Sequence, residues 1–203
     1  FIKSEKKLSI ILKDEIIFFV NNLGDVTALD VNNGSLVWQT PTQTNTIYQN
    51  AFSLENSDLV FENNTIYFSN NKNEFFSIDA RTGTVKWVQS INSSLRPTII
   101  ENLIFTVSNE GYLFIIDDPT GNIVRITDVL KNFKDKLKIK PIGFIHAKNK
   151  VYVSLNNGRL VTINSSTGIQ ENVTKINNSK ISRPYILNNS MYLIKDNGLA
   201  KIE

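Results

Sequence analysis

Four polar residues at matching places are the first candidates for chemistry: Asp30, Asp79, Asp117 and Asn164. A carboxylate of this kind can act as a general base or bind a hard cation such as calcium. Each of the four, however, lies four residues before a glycine, and these glycines are Gly34, Gly83, Gly121 and Gly168. An Asp or Asn side chain accepts backbone N–H groups within a turn, where glycine supplies a positive φ. Because a catalytic residue would break a repeat rather than follow it, we interpret these positions as structural.

Other chemically active side chains are scarce in the sequence. His146 is the single histidine, and it lies in the strand-like segment GFIHAKN without a Ser/Asp arrangement beside it. The chain has no cysteine, which excludes disulfides, thiolate nucleophiles and Cys-ligated zinc. Neither of the glycine-rich phosphate-binding motifs, GxGxxG and GxxxxGK(S/T), occurs in the sequence. We therefore predict a protein that is not an enzyme and that has no catalytic residue, cofactor or metal site.

The four turns belong to a repeated segment. Its copies are VTALDVNNGSLVW, FFSIDARTGTVKW, LFIIDDPTGNIVR and LVTINSSTGIQEN, and their glycines are separated by 49, 38 and 47 residues. Another strand–turn–strand pattern precedes each copy, and a fifth such pattern, MYLIKDNGLAKI, begins at Met191. Paired asparagines such as Asn63-Asn64 and Asn188-Asn189 are typical of the turns, because Asn tolerates positive φ. Alternating apolar residues predict about four strands in each unit of roughly 40 residues.

Repeats of this size with four strands each are typical of β-propeller blades. We predict an all-β propeller of four-stranded antiparallel blades, with about four and a half blades at residues 8–40, 59–90, 97–127, 141–175 and 184–203. Trp38 and Trp87 follow the repeated turn and are expected to pack between adjacent blades. Arg125 and Asn172 hold the matching positions, which argues against a continuous girdle of tryptophans.

Two long connections interrupt the repeat, at Thr40 to Asp58 and at Ile126 to Lys140. The second connection has Val129, Leu130, Phe133 and Leu137 at helical spacing, which predicts either a short helix or an ordered loop. Its five lysines form the most basic stretch of the chain, and we interpret them as a solvated face.

Charge and hydropathy exclude two classes of partner. The net charge is only +3, without the clustered basic residues of a nucleic-acid-binding protein. No apolar run approaches the roughly 20 residues of a membrane-spanning helix. We therefore expect neither nucleic-acid binding nor a membrane contact through this chain.

The segments LDVNNGSLVW and IDARTGTVKW resemble the end of a PQQ-like repeat. The order of long and short connections, and the connector TDVLKNFKDKLKIKP, resemble the family of propeller lipoproteins in the bacterial outer-membrane β-barrel assembly machinery. This resemblance implies an eight-bladed propeller, of which the chain carries the C-terminal part. Phe1 is then a cut end, and the last blade is short of one strand.

The resemblance also implies a function and a location. Members of this family act as periplasmic scaffolds at the outer membrane and are held by a lipid anchor, which here would lie outside the chain. The expected partners are the periplasmic domains of the barrel insertase and, at a blade edge, unfolded outer-membrane proteins. The long connection then supplies the partner-binding candidates Glu55 and Asp58.

Two other interpretations of the repeat are compatible with the sequence. A fragment of a PQQ-dependent dehydrogenase and a lumenal sensor or binding propeller carry the same repeat. A chain of four and a half blades with eight-blade curvature is expected to form an open arc that associates with a second copy or with a missing half.

Overall fold

The computed structural model describes residues 9–21, 24–42 and 55–202. Within these ranges, nineteen β-strands form four four-stranded sheets and one three-stranded sheet, and every strand pair is antiparallel. The predicted all-β class with four-stranded blades is confirmed, and the sheet count agrees with four and a half blades. In each sheet the strands lie in the order in which they occur along the chain.

The strands divide between two compact units, Phe1–Arg96 and Pro97–Glu203. The first unit contains β1 (Ile10–Lys13), β2 (Ile16–Val20), β3 (Val26–Asp30), β4 (Leu36–Thr40), β5 (Val60–Glu62), β6 (Thr65–Asn70), β7 (Glu74–Asp79) and β8 (Val85–Gln89). The second contains β9 (Thr98–Ile100), β10 (Leu103–Val107), β11 (Tyr112–Asp117), β12 (Ile123–Asp128), β13 (Pro141–Ala147), β14 (Lys150–Leu155), β15 (Arg159–Asn164), β16 (Gln170–Lys175), β17 (Tyr185–Leu187), β18 (Ser190–Lys195) and β19 (Gly198–Ile202).

Several hairpins are closed by two-residue turns in which both residues have positive φ. The pairs are Asp14-Glu15, Asn63-Asn64, Asn188-Asn189 and Asp196-Asn197, with φ between +46° and +65°. Positive φ at both central residues defines the type I′ turn, whose twist matches that of the flanking strands. The short polar side chains of Asn and Asp tolerate this conformation, which explains the asparagine pairs Asn63-Asn64 and Asn188-Asn189.

The core of the first unit lies between its two sheets. Its buried residues are Phe18, Val26, Ala28, Leu59, Ile66, Phe68, Phe76, Ile78 and Ala80. Seven of them lie in strands of the two sheets, whereas Leu59 precedes β5 and Ala80 follows β7. Phe68 and Phe76 stack with ring centroids 5.1 Å apart. The apolar face of each sheet is therefore buried against its neighbour, which is the arrangement that alternating strands require.

With the five sheets numbered in chain order, fully buried side chains of the second unit occupy both the third sheet, β9–β12, and the fourth, β13–β16. They include Ile104, Val107, Leu113, Ile116, Phe144, Val151, Val153, Val161 and Ile163. The fifth sheet packs more loosely: Leu193 is fully buried, whereas Tyr185, Leu187 and Leu199 are exposed.

The predicted connection at Ile126 to Lys140 is shorter than expected, because β12 continues to Asp128. Of the two predicted alternatives, the ordered loop is confirmed, and it contains a single 3₁₀ turn, Lys136–Lys138. The helical spacing was misleading, since Val129 and Leu130 are buried while Leu137 is 98% exposed.

Candidate functional site

The four repeat positions form the same turn in four sheets. The side-chain oxygen of Asp30 accepts the N–H groups of Asn32 and Asn33, and that of Asn164 accepts those of Ser166 and Thr167. The corresponding acceptors in the other two sheets are Asp79 and Asp117. The glycines Gly34, Gly83, Gly121 and Gly168 have φ of +70°, +75°, +73° and +74° and donate to the carbonyl of the Asp or Asn four residues earlier. The structure thus gives the four side chains a turn-forming role.

The turn also shapes the electrostatics of Asp79. The N–H of Thr82 donates to its carboxylate and is the main reason why the pKa of Asp79 lies below its ordinary value. The hydroxyl of Thr82 and the N–H of Arg81 act in the same direction. A carboxylate held ionised by turn donors is a poor general base, because its lowered pKa leaves it with little affinity for a proton.

The pairing of the third and fourth strands of each complete sheet contains a register shift, close to this turn and just after the first residue of the fourth strand. The shift falls between Ala28 and Leu29 in the first sheet and between Thr162 and Ile163 in the fourth, and equivalent shifts occur in the second and third sheets. A bulge at this place strengthens the local twist of the strand.

Trp38, the third residue of β4, connects the first sheet to the turn of the second. Its indole N–H donates to the carbonyl of Ala80 over 3.0 Å. A Cβ added to Gly83 would lie 2.7 Å from the indole ring, and the hydroxyl of Thr40 donates to the Gly83 carbonyl. Trp38 also packs on Phe18, with ring centroids 5.7 Å apart. The glycine is therefore needed both for its backbone conformation and for the close approach of the indole.

Arg125, the third residue of β12, makes the matching contact in the second unit. Its guanidinium donates to the carbonyl of Ser165 over 3.1 Å, and a Cβ added to Gly168 would lie 2.7 Å from its Cδ. Thr127 approaches Gly168 as Thr40 approaches Gly83. The sequence argued against a continuous tryptophan girdle, and here the contact persists with an arginine in the place of the indole.

The other two matching positions are those of Trp87 and Asn172. Trp87 stacks on Phe75, with ring centroids 5.9 Å apart, and lies 6.4 Å from the ring of Tyr67. Asn172 is exposed and donates to the hydroxyl of Thr174 within its own strand.

The partner-binding candidates Glu55 and Asp58 both lie exposed at the described end of the first long connection. Residues 43–54 of this connection lie outside the described part of the chain. Glu55 and Asn71 are joined by two hydrogen bonds, and the intervening Asn56 forms a β-bridge with Asn70. The backbone that carries the two carboxylates is therefore attached to the end of β6.

His146 lies in β13, half-buried, with its ring centroid 4.7 Å from that of Phe105. Burial lowers its pKa, because it disfavours the charged imidazolium. Among the residues that the structure describes, no group of three His, Cys, Asp or Glu side chains is arranged to hold a metal ion. No helix in the described ranges is long and apolar enough to span a membrane.

Reasoning from sequence missed a cleft beside the second connection. Its volume is about 560 Å³, and it is lined by connector residues between 132 and 139 together with Asn156, Asn157, Arg159 and Val173. The run of lysines was the only sequence signal for this place.

Solved structures with the same fold include natural and designed proteins. BamB from Moraxella catarrhalis superposes with a TM-score of 0.75 over 98% of this chain at 15% identity. The β-propeller domain of Myceliophteria thermophila Cps50 (Swd1) gives 0.70 over 93% at 10% identity, and the computationally designed Ika8 protein gives 0.70 over 95% at 13% identity. The chain spans 58%, 62% and 56% of these three structures, respectively. At such identities the likeness shows the fold alone.

Comparison by sequence identifies the family more specifically than the structural superpositions do. No curated protein matches the chain. Residues 4–127, more than half of the chain, match the family model described as outer membrane protein assembly factor BamB. The matched range includes three of the four repeated turns and both tryptophans. The chain therefore belongs to the family of the outer membrane protein assembly factor BamB.

Proposed function

We propose that this protein is a non-enzymatic scaffold that assists the assembly of outer-membrane β-barrel proteins through protein–protein contacts. Membership of the BamB family is the observation that carries this proposal. The proposal places the protein in the periplasm at the outer membrane, with the periplasmic domains of the barrel insertase as its partners. A lipid anchor would then lie outside this chain.

The local chemistry of the repeat supports a scaffold. Asp30, Asp79 and Asp117 all accept hydrogen bonds from their own turns, so their carboxylates already serve the fold. The same role is filled by the neutral Asn164, which indicates that the position needs an acceptor and not a negative charge. A PQQ-dependent dehydrogenase would need carboxylates that are free to bind calcium or to take a proton.

We assign the partner-binding surface to the acidic loop, defined as Glu55 to Asp58. Ser57 donates its backbone N–H to the Ser69 carbonyl over 2.8 Å and accepts the Ser69 N–H with its side chain over 2.9 Å. The carboxylates of Glu55 and Asp58 are thus exposed on a firmly paired segment. Binding residues often occupy loops that a rigid scaffold positions in this way.

The test is a pull-down of the purified insertase periplasmic domains with the E55K/D58K variant. Reversing two exposed charges is expected to weaken binding by about tenfold or more, mainly through slower association. The matched control is E62K/E101K, which reverses two exposed carboxylates outside the loop. Binding that survives E55K/D58K would contradict the assignment to this loop, and a stoichiometric quinone spectrum of the purified protein would contradict the non-enzymatic role.

A further inference from the structure

The cleft beside the second connection is held open by specific hydrogen bonds. Asn156 accepts the backbone N–H of Lys140 over 3.0 Å and donates its amide to the carbonyl of Lys138, also over 3.0 Å. At the other end of the connector, Asn132 donates to the side chain of Gln170 over 3.3 Å. These bonds attach the connector to β14–β16, so the cleft is formed before any ligand arrives. Its volume of about 560 Å³ falls in the usual range of ligand sites.

Positive charge predominates around this connector cleft. Lys134, Lys138 and Arg159 line it, and Asp135 is the acidic residue of the lining. Within the described residues, none of the three cations forms an ion pair. The guanidinium of Arg159 lies 5.9 Å from the ring centroid of Phe133, an interaction that holds it at the cleft wall and leaves its N–H groups for another partner. An unpaired basic lining of this kind is complementary to carboxylates.

The remaining lining favours a peptide over a simple anion. Phe133, Ile139 and Val173 are half-buried and supply apolar surface between the cations. The side-chain oxygen of Asn157 is buried without a hydrogen-bond partner in the described structure. This oxygen is an unsatisfied acceptor in the cleft lining, which suits the N–H donors of a peptide better than an anion that carries no donor.

We propose that the connector cleft binds an extended acidic peptide segment of a partner protein, with carboxylates on Lys134, Lys138 and Arg159 and an apolar side chain on Phe133. The cleft and the acidic loop lie in different units and carry opposite charge. This inference goes beyond the assembly role, because it adds a second binding site that stands whether or not the acidic loop contacts the insertase.

Fluorescence anisotropy on the full chain tests the proposal. The probe is a labelled peptide of alternating Glu and Phe residues with glycine spacers, compared with the same peptide in which Gln replaces Glu. We expect the acidic peptide to bind and its affinity to fall as salt is raised from about 50 to about 300 mM, since the Debye length shortens. K134Q/K138Q should weaken binding about tenfold, because two charge-assisted contacts are lost.

The variants are chosen so that the fold stays intact. Lys134 and Lys138 are exposed, and K180Q/K201Q removes the same charge from exposed lysines that do not line the cleft. R159Q is the second variant, and it should weaken binding on its own. The proposal is overturned if K134Q/K138Q and K180Q/K201Q behave alike, if the Gln peptide binds equally well, or if only inorganic phosphate or phosphatidylglycerol vesicles bind.

Discussion

Trp38 in the first unit and Arg125 in the second occupy the same place in the repeat, yet one is a neutral aromatic and the other a cation. Each is the third residue of the fourth strand in its sheet. Each donates an N–H to the carbonyl of the residue that follows the turn Asp or Asn, Ala80 in one case and Ser165 in the other. Each also covers the turn glycine of that next sheet, without room for a Cβ.

The comparison shows that the receiving turn, and not the donor side chain, is the constant part of the contact. In both sheets a backbone hydrogen bond holds the accepting residue in place. The N–H of Ala80 donates to the carbonyl of Asn64, and the N–H of Ser165 donates to the carbonyl of Asn149. The carbonyl therefore points outward at the same place in each repeat. Any long side chain with an N–H donor and a flat face can use it, which an indole and a guanidinium both provide.

Replacement of the turn glycines is expected to have the largest effect and to separate backbone strain from steric contact. Alanine at any of these positions costs about 1–2 kcal/mol for its left-handed φ. Gly34→Ala should lower the free energy of unfolding by this backbone cost alone, because nothing lies within 4 Å of the added Cβ. Gly83→Ala should lower the free energy of unfolding by about 2–5 kcal/mol, since overpacking against the rigid indole adds about 1–3 kcal/mol to the cost of the left-handed φ. The loss for Gly168→Ala should lie between the losses for Gly34→Ala and Gly83→Ala, because the flexible Arg125 side chain can move away from the added Cβ.

Urea unfolding measures this series. Both tryptophans lie in the first unit, so intrinsic fluorescence reports on Gly34→Ala and Gly83→Ala, and circular dichroism reports on Gly168→Ala. Equal losses for Gly34→Ala and Gly83→Ala would contradict a steric role for Trp38.

Truncation of the two donor side chains is expected to have an intermediate effect. Trp38→Ala should cost about 2–3 kcal/mol, below the usual value for a fully buried aromatic because the indole is only half-buried. Arg125→Ala should cost about 1–2 kcal/mol, mainly the charge-assisted hydrogen bond to Ser165. Thermal unfolding followed by circular dichroism checks both variants. An Arg125→Ala loss as large as that of Trp38→Ala would show that packing area does not distinguish the two contacts.

The smallest expected effect is the loss of stability in acid that comes from Asp79 in the turn of the second sheet. Because the folded-state pKa of Asp79 lies below its unfolded value of about 3.8, its charge stabilises the fold above that value. This stabilisation is lost as the pH falls through the folded-state pKa. Asp79→Asn, which copies Asn164, should change stability at pH 7 by less than about 0.5 kcal/mol and should remove this part of the acid loss.

Unfolding free energies at pH 7 and at pH 3, for wild type and Asp79→Asn, measure the difference. A wild-type curve that runs parallel to that of Asp79→Asn down to pH 3 would contradict the depressed pKa.

The sequence by itself determined the class of fold and the position of the turns. Strand alternation, the Asp-to-Gly spacing and the asparagine pairs act over a few residues, so each could be recognised without the rest of the chain. The same locality explains why the sequence leaves a short helix and an ordered loop as alternatives for the second connection: the spacing from Val129 to Leu137 looks helical, but only the surrounding sheets decide which of these side chains are buried.

Only the tertiary structure decided which distant residues meet. The contacts of Trp38 with Ala80 and of Arg125 with Ser165 join residues 42 and 40 positions apart, and the sequence offered no way to equate an indole with a guanidinium. The connector cleft likewise combines lysines of a loop with Arg159 and Asn157 of a sheet. Local patterns specify turns and strands, whereas a binding site depends on side chains that the packing of whole sheets brings together.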